Sequence, residues 1–181
     1  MIPCKFDIAK SIFIDNISQI QLTYDTAGAV DSNYKSKTPA QTMKDEFGFC
    51  TEQVELAELL LKQEKVIPLE KYQLFAVPHN NIYDVKIDLS HAFIGIPDEN
   101  NWILFETGFR ARNRGGVRCF ANRGDGLNYV LKLYSQSLTI AHITNLLLTI
   151  YKYDFPAENK AFQAFAKEVM IERNRVFVGR Q

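Results

Sequence analysis

Three cysteines, Cys4, Cys50 and Cys119, are all that 181 residues contain, too few and odd in number for a disulfide framework. An excess of one charge is missing too: 21 Lys and Arg stand against 21 Asp and Glu, so no global field draws the chain to nucleic acid or to an anionic membrane. No segment runs for about eighteen uninterrupted apolar residues, which argues against a membrane span. The opening Met1-Ile2-Pro3-Cys4-Lys5-Phe6-Asp7 has neither the basic start nor the apolar run of a secretory leader. With the cysteines unpaired, we expect a reducing, cytoplasmic setting. The histidines His79, His91 and His142 lack the paired Cys or carboxylate spacing of a zinc site. Neither a phosphate loop nor a dinucleotide fingerprint is present, so no metal and no cofactor is expected.

The apolar content, 46%, is enough for one substantial core. Ile8, Ile12, Phe13, Ile17 and Ile20 recur at helical spacing within residues 7–22. A loop over 25–39 ends at Thr38-Pro39, a cap followed by a first-turn proline that starts a short helix to about Lys44 or Glu46. Gly48 then precedes a helix over 50–64, with Val54, Ala57, Leu60 and Leu61 facing in and Glu52, Glu55, Glu58, Lys62 and Lys65 facing out. Short β-like runs follow at 72–77, 83–89, 91–96 and 102–105, with the brief connections of an antiparallel meander. Beyond Leu127 we predict helices over 127–134, 140–151 and 157–173. The reading is an α+β domain, with a catalytic core at 1–112 and a C-terminal helical extension at 113–181 packed on it as one compact unit.

Cys50 stands at the head of its helix, where the positive end of the macrodipole favours a thiolate. Taken alone it reads as a small buried apolar residue, and His91 alone as a structural histidine. Their meaning changes with the hairpin downstream. If the turn centres between Asp98 and Glu99, Ile94 opposes Ile103, Phe93 opposes Leu104 and His91 opposes Glu106. Facing side chains then have β-carbons about 5 Å apart, within reach of a carboxylate–imidazole hydrogen bond. Such a bond sets the tautomer and leaves the second ring nitrogen to take a proton from a nucleophile. Cys50 as nucleophile, His91 as base then acid, and Glu106 as orienter make the candidate triad. The Cys50 backbone N–H supplies one oxyanion donor, and Gln41 is the candidate for a second.

Thr38 to Met43, Gly48-Phe49-Cys50-Thr51-Glu52-Gln53, Leu59-Leu60-Leu61 and Val66-Ile67-Pro68 resemble the nucleophile block of the transglutaminase-like superfamily. His91-Ala92-Phe93 resembles its His-Ala-Trp, and Trp102 to Thr107 its tryptophan strand ending in the third triad acid. The resemblance covers residues 35–110, with Phe93 in place of tryptophan and Glu106 in place of aspartate. It implies a papain-like, transglutaminase-like fold in which the nucleophile helix packs on an antiparallel sheet. It also implies acyl transfer on an amide of a peptide or protein through a thioester, ending in hydrolysis or transamidation. A catalytically inactive relative that binds a peptide is one alternative, and an arylamine N-acetyltransferase-like activity another. Against the latter, Glu46-Phe47-Gly48-Phe49 precedes Cys50 where that family has an arginine and paired glycines.

Phe93, Trp102, Arg110 and Arg112 are candidates for the border of the cleft. Arg110, Arg112, Arg114, Arg118 and Arg123 otherwise read as a solvated loop. Cys4 and Cys119 read as non-catalytic, His79 as loop surface and His142 as helix packing.

Overall fold

The computed structural model describes residues 4–22, 34–78, 89–108, 115–140 and 145–180. Among these residues five α-helices, α1 (Lys5–Asp15), α2 (Pro39–Asp45), α3 (Cys50–Gln63), α4 (Arg123–Ile140) and α5 (Phe162–Val169), accompany eight strands. Two of these, β1 (Gln21–Leu22) and β2 (Phe47–Gly48), make a small parallel pair. The other six are β3 (Glu70–Pro78), β4 (Ser90–Asp98), β5 (Asn101–Glu106), β6 (Gly116–Phe120), β7 (Leu146–Tyr153) and β8 (Arg175–Arg180). They form one sheet of order β6-β5-β4-β3-β7-β8, antiparallel throughout. The fold is therefore α+β, with a six-stranded antiparallel sheet. No helix among the described residues is long and apolar enough to cross a membrane.

Strand alternation sends successive side chains to opposite faces, and the helices divide accordingly. Ala92, Ile94, Ile96, Ile103 and Phe105 pack with α1 and α3. Tyr72, Leu74, Phe93, Trp102 and Leu104 turn the other way, against Leu127, Val130, Leu131, Tyr134 and Leu138 of α4. Phe75, Val77, Tyr151 and Tyr153 meet Phe165, Ala166 and Val169 of α5.

Three local readings change. Residues 140–151, expected to be helical, hold most of β7, which lies between β3 and β8. Leu146, Leu148, Thr149 and Ile150 are all buried, so a strand covered on both faces shows no two-residue alternation and its leucine run mimics a helix. The helix expected over 157–173 shortens to Phe162–Val169, and the chain ends in edge strand β8. Residues 113–181, expected to be a helical extension, thus supply β6, β7 and β8, three of the six strands. Residues 83–88 of the run expected over 83–89, together with His79, His142, Arg110, Arg112 and Arg114, lie outside the described residues.

Helix α3 is not the surface helix its charge pattern suggests. Every residue from Cys50 to Ala57 is buried, including Glu52 and Glu55. Glu55 and Glu58 receive the ammonium of Lys71 from β3, at 3.1 and 2.8 Å, and Glu55 also accepts the Ala157 backbone N–H at 3.1 Å. Burial pushes the Glu55 carboxyl above the usual range despite Lys71. In Glu58 burial acts the same way, but hydrogen bonds from Lys62 and Lys71 outweigh it and hold the group below that range.

Trp102, a candidate for the cleft border, is instead a core residue, 3% exposed. Its indole lies in a slot lined by Gly95 of β4 and Gly126 of α4, where a β-carbon at either position would come within 2.2 Å of the ring. A methyl group cannot enter without moving the indole. Gly126→Ala should therefore destabilise the fold by about 1–3 kcal/mol, read as a lower urea midpoint with the slope unchanged.

Candidate active site

Local chemistry builds the head of α3 before the sheet is involved. Thr38 and Gln41 form a capping box on α2, with Gln41 Oε1 accepting the Thr38 N–H at 2.9 Å. Glu46 closes that helix in the left-handed region, φ 56°, so the stop falls two residues before Gly48. Glu52, in the first turn of α3, turns back to accept the Phe49 backbone N–H at 2.9 Å and the Lys37 N–H at 2.8 Å, and takes a further hydrogen bond from the Tyr34 hydroxyl. Gly48 leaves room for this carboxylate, since a β-carbon there would stand 3.0 Å from Glu52 Oε2. One buried side chain thus ties the residue before Cys50 to the segment at 34–37.

The hairpin that carries His91 and Glu106 turns at Glu99–Asn100, and Ile96 opposes Ile103. The register is two residues away from the one expected, in which Ile94 opposed Ile103. An even shift exchanges partners but keeps every side chain on its face, so His91 and Glu106 still share a side of the sheet. They meet along the diagonal rather than straight across, with His91 Nε2 and Glu106 Oε2 2.8 Å apart. The other carboxylate oxygen accepts the Gly108 backbone N–H at 2.7 Å, which holds the group in place. Gly108 itself lies against the ring: a β-carbon there would reach His91 Cε1 at 2.5 Å and Nδ1 at 3.1 Å.

Cys50, His91 and Glu106 are 4%, 1% and 0% exposed. The Cys50 thiol acts on the His91 ring both by hydrogen bonding and by charge, and with Nε2 taken by Glu106 the nitrogen left for it is Nδ1. Cys50 packs in the cluster on the α3 side. The rings beside His91, Phe93 at 6.2 Å and Tyr134 at 6.0 Å, belong to the α4 side. The thiol–imidazole contact therefore joins the two packed layers. Burial by itself would lower the His91 pKa. The attraction of Glu106, the hydrogen bond to Cys50 and the hydrogen bond to Glu106 outweigh it, and the pKa is pushed up to about 10.

The remaining candidates are placed differently. Gln41 is exposed and its side-chain oxygen is spent on Thr38, so its place in the structure is that of a helix cap and lends nothing to an oxyanion role. Phe93, proposed at the cleft border, is fully buried and stacks on Tyr72 with centroids 5.1 Å apart, forming a wall behind the imidazole. Arg118 lies over the Tyr129 ring at 5.4 Å, and Arg123 is 4.0 Å from Glu70. Cys4 and Cys119 are exposed. Among the described residues no group of three His, Cys, Asp or Glu side chains is arranged to hold a metal ion. Glu52, Tyr34 and Gly108 were missed as parts of the site. Glu52 stands three residues after Phe49, and that capping-box spacing was the available signal.

Two outcomes follow from this geometry. Gly108→Ala should push the ring from its place and slow alkylation of Cys50 by iodoacetamide about 10-fold or more, while the circular dichroism spectrum stays native. His91 has an unfolded pKa of about 6.5 and a raised folded pKa, so its contribution to stability is fully present below about pH 6.5. That contribution is lost as the pH rises through about 10. Urea midpoints measured from pH 6 to pH 10.5 should fall across this window, and the fall should be smaller in His91→Gln.

No family model, no curated protein and no solved structure matches the chain.

Proposed function

We propose that the protein is a thiol-dependent acyl-transfer enzyme of the transglutaminase-like kind, acting on an amide bond of a peptide or protein. The observation that carries this reading is the buried His91–Glu106 pair, 2.8 Å apart, with the Cys50 thiol as the further hydrogen-bonding partner of the same ring. A carboxylate on one ring nitrogen and a thiol on the other is the arrangement needed to shuttle one proton between nucleophile and leaving group.

In this mechanism the Cys50 thiolate attacks the amide carbonyl carbon. The C–S bond forms as the carbonyl π pair moves onto oxygen, where the Cys50 N–H, unused within the helix at its first position, is a donor. Collapse of the intermediate expels the amine, which leaves with the proton held on His91. Water or a primary amine then attacks the thioester, with His91 accepting its proton, and the acyl group departs as an acid or a new amide. Glu106 keeps the ring oriented at each stage, and Gly108 holds Glu106.

Alkylation by iodoacetamide separates this reading from that of an inactive peptide-binding relative. Cys50 should react at pH 6 at a rate at least about 10-fold above that of Cys4 and Cys119, and the advantage should vanish in His91→Ala. Equal rates at the three cysteines would refute a primed nucleophile. Incubation with a peptide library, with and without a primary amine, then divides hydrolysis from transamidation by the masses of the products.

A further inference from the structure

Gln73, in the middle of β3, is completely buried, and neither its Oε1 nor its Nε2 has a hydrogen-bond partner among the described residues. A buried amide in this condition lowers stability, and folded proteins rarely keep one without a use for it. Its position says what the use is. Lys71, two residues earlier on the same strand, reaches Glu55 of α3 at 3.1 Å, so this side of β3 faces α3, and alternation gives Gln73 the same side.

Helix α3 runs antiparallel to β3, since only the short stretch from Glu64 to Leu69 joins the end of one to the start of the other. Moving back along the helix from Glu55 to Cys50 covers about 7.5 Å. Moving forward along the strand from Lys71 to Gln73 covers about 7 Å in the same sense. Gln73 therefore lies level with Cys50, and on its other flank it pairs with Ala92, the neighbour of His91.

We propose that the Gln73 side-chain amide is the second oxyanion donor, its Nε2 hydrogen-bonding the carbonyl oxygen of the acyl group as Cys50 attacks. The inference rests on the acyl-transfer reading above. It assigns to β3 the role that Gln41 does not fill, and it explains why the fold keeps an unpaired amide at full burial.

The test compares two rates and one stability in the full chain, wild type against Gln73→Met, with Gln73→Leu as a second apolar shape. Acylation of Cys50 by p-nitrophenyl acetate needs an oxyanion donor, whereas alkylation by iodoacetamide does not. Acylation should fall about 100-fold in both variants while alkylation stays within about twofold. Gln73→Met should also melt higher by about 2–6 °C, because it removes two unpaired polar atoms at nearly constant volume. Unchanged acylation, an equal fall in both rates, or a lower melting temperature in both variants would overturn the assignment. A wild-type Cys50 that is alkylated but never acylated would overturn the acyl-transfer reading and this proposal with it. Failure of Gln73 alone would leave wild-type acylation intact.

Discussion

Lys71 carries its ammonium into the space between β3 and α3, and there it is bonded by Glu55, Glu58 and the Phe155 carbonyl oxygen. Only 4% of the side chain is exposed. Taking these charges out of water costs more than a surface pair can return, so the cluster holds only while all its members are in place. What it provides is register. With Glu55 also accepting the Ala157 N–H, the helix, the strand and the segment before α5 are locked at one level, and that level decides where Cys50 comes to rest. A helix sliding by one turn would move the thiol about 5.4 Å, more than the reach of any hydrogen bond to His91.

The rest of the site is arranged so that each group is held from behind. Glu52 fixes the residue before Cys50. Gly108 both holds Glu106 and makes room for the imidazole. Phe93 and Tyr134 lie beside the His91 ring, and Tyr72 stacks behind Phe93. Positioning of this kind is what catalysis by proton transfer needs, since the reacting atoms must be within hydrogen-bond reach before any shift in acidity matters.

Much of this was legible because it is local. The Thr38-Pro39 start, the glycine before Cys50 and the spacing of Val54, Ala57 and Leu61 are short-range signals, and α2 and α3 fall where they point. The common face of His91 and Glu106 was legible too, although the hairpin turns later than expected, because faces depend only on parity and an even slip preserves it. The strands after Gly115 were not. β7 is buried on both sides and takes its place from β3, a partner far earlier in sequence, while β6 and β8 are short edge strands at the two ends of the sheet. Glu52 and Glu55 were read as solvent-facing for the same reason: their partners Lys37, Lys71 and Ala157 lie well outside the helix.

By itself, then, the amino-acid order determined the helix over 50–63, its cysteine head and the placing of a histidine and a carboxylate on one face of a hairpin, all of which follow from periodicities of a few residues. Only the tertiary structure decided that the carboxylate meets the ring diagonally, that Trp102 and Phe93 are core, that Gln41 is a cap, and that a buried glutamine lies level with the thiol. Those outcomes depend on how a helix is registered against a strand, and buried charges and side-chain volumes set that register, neither of which has a sequence period.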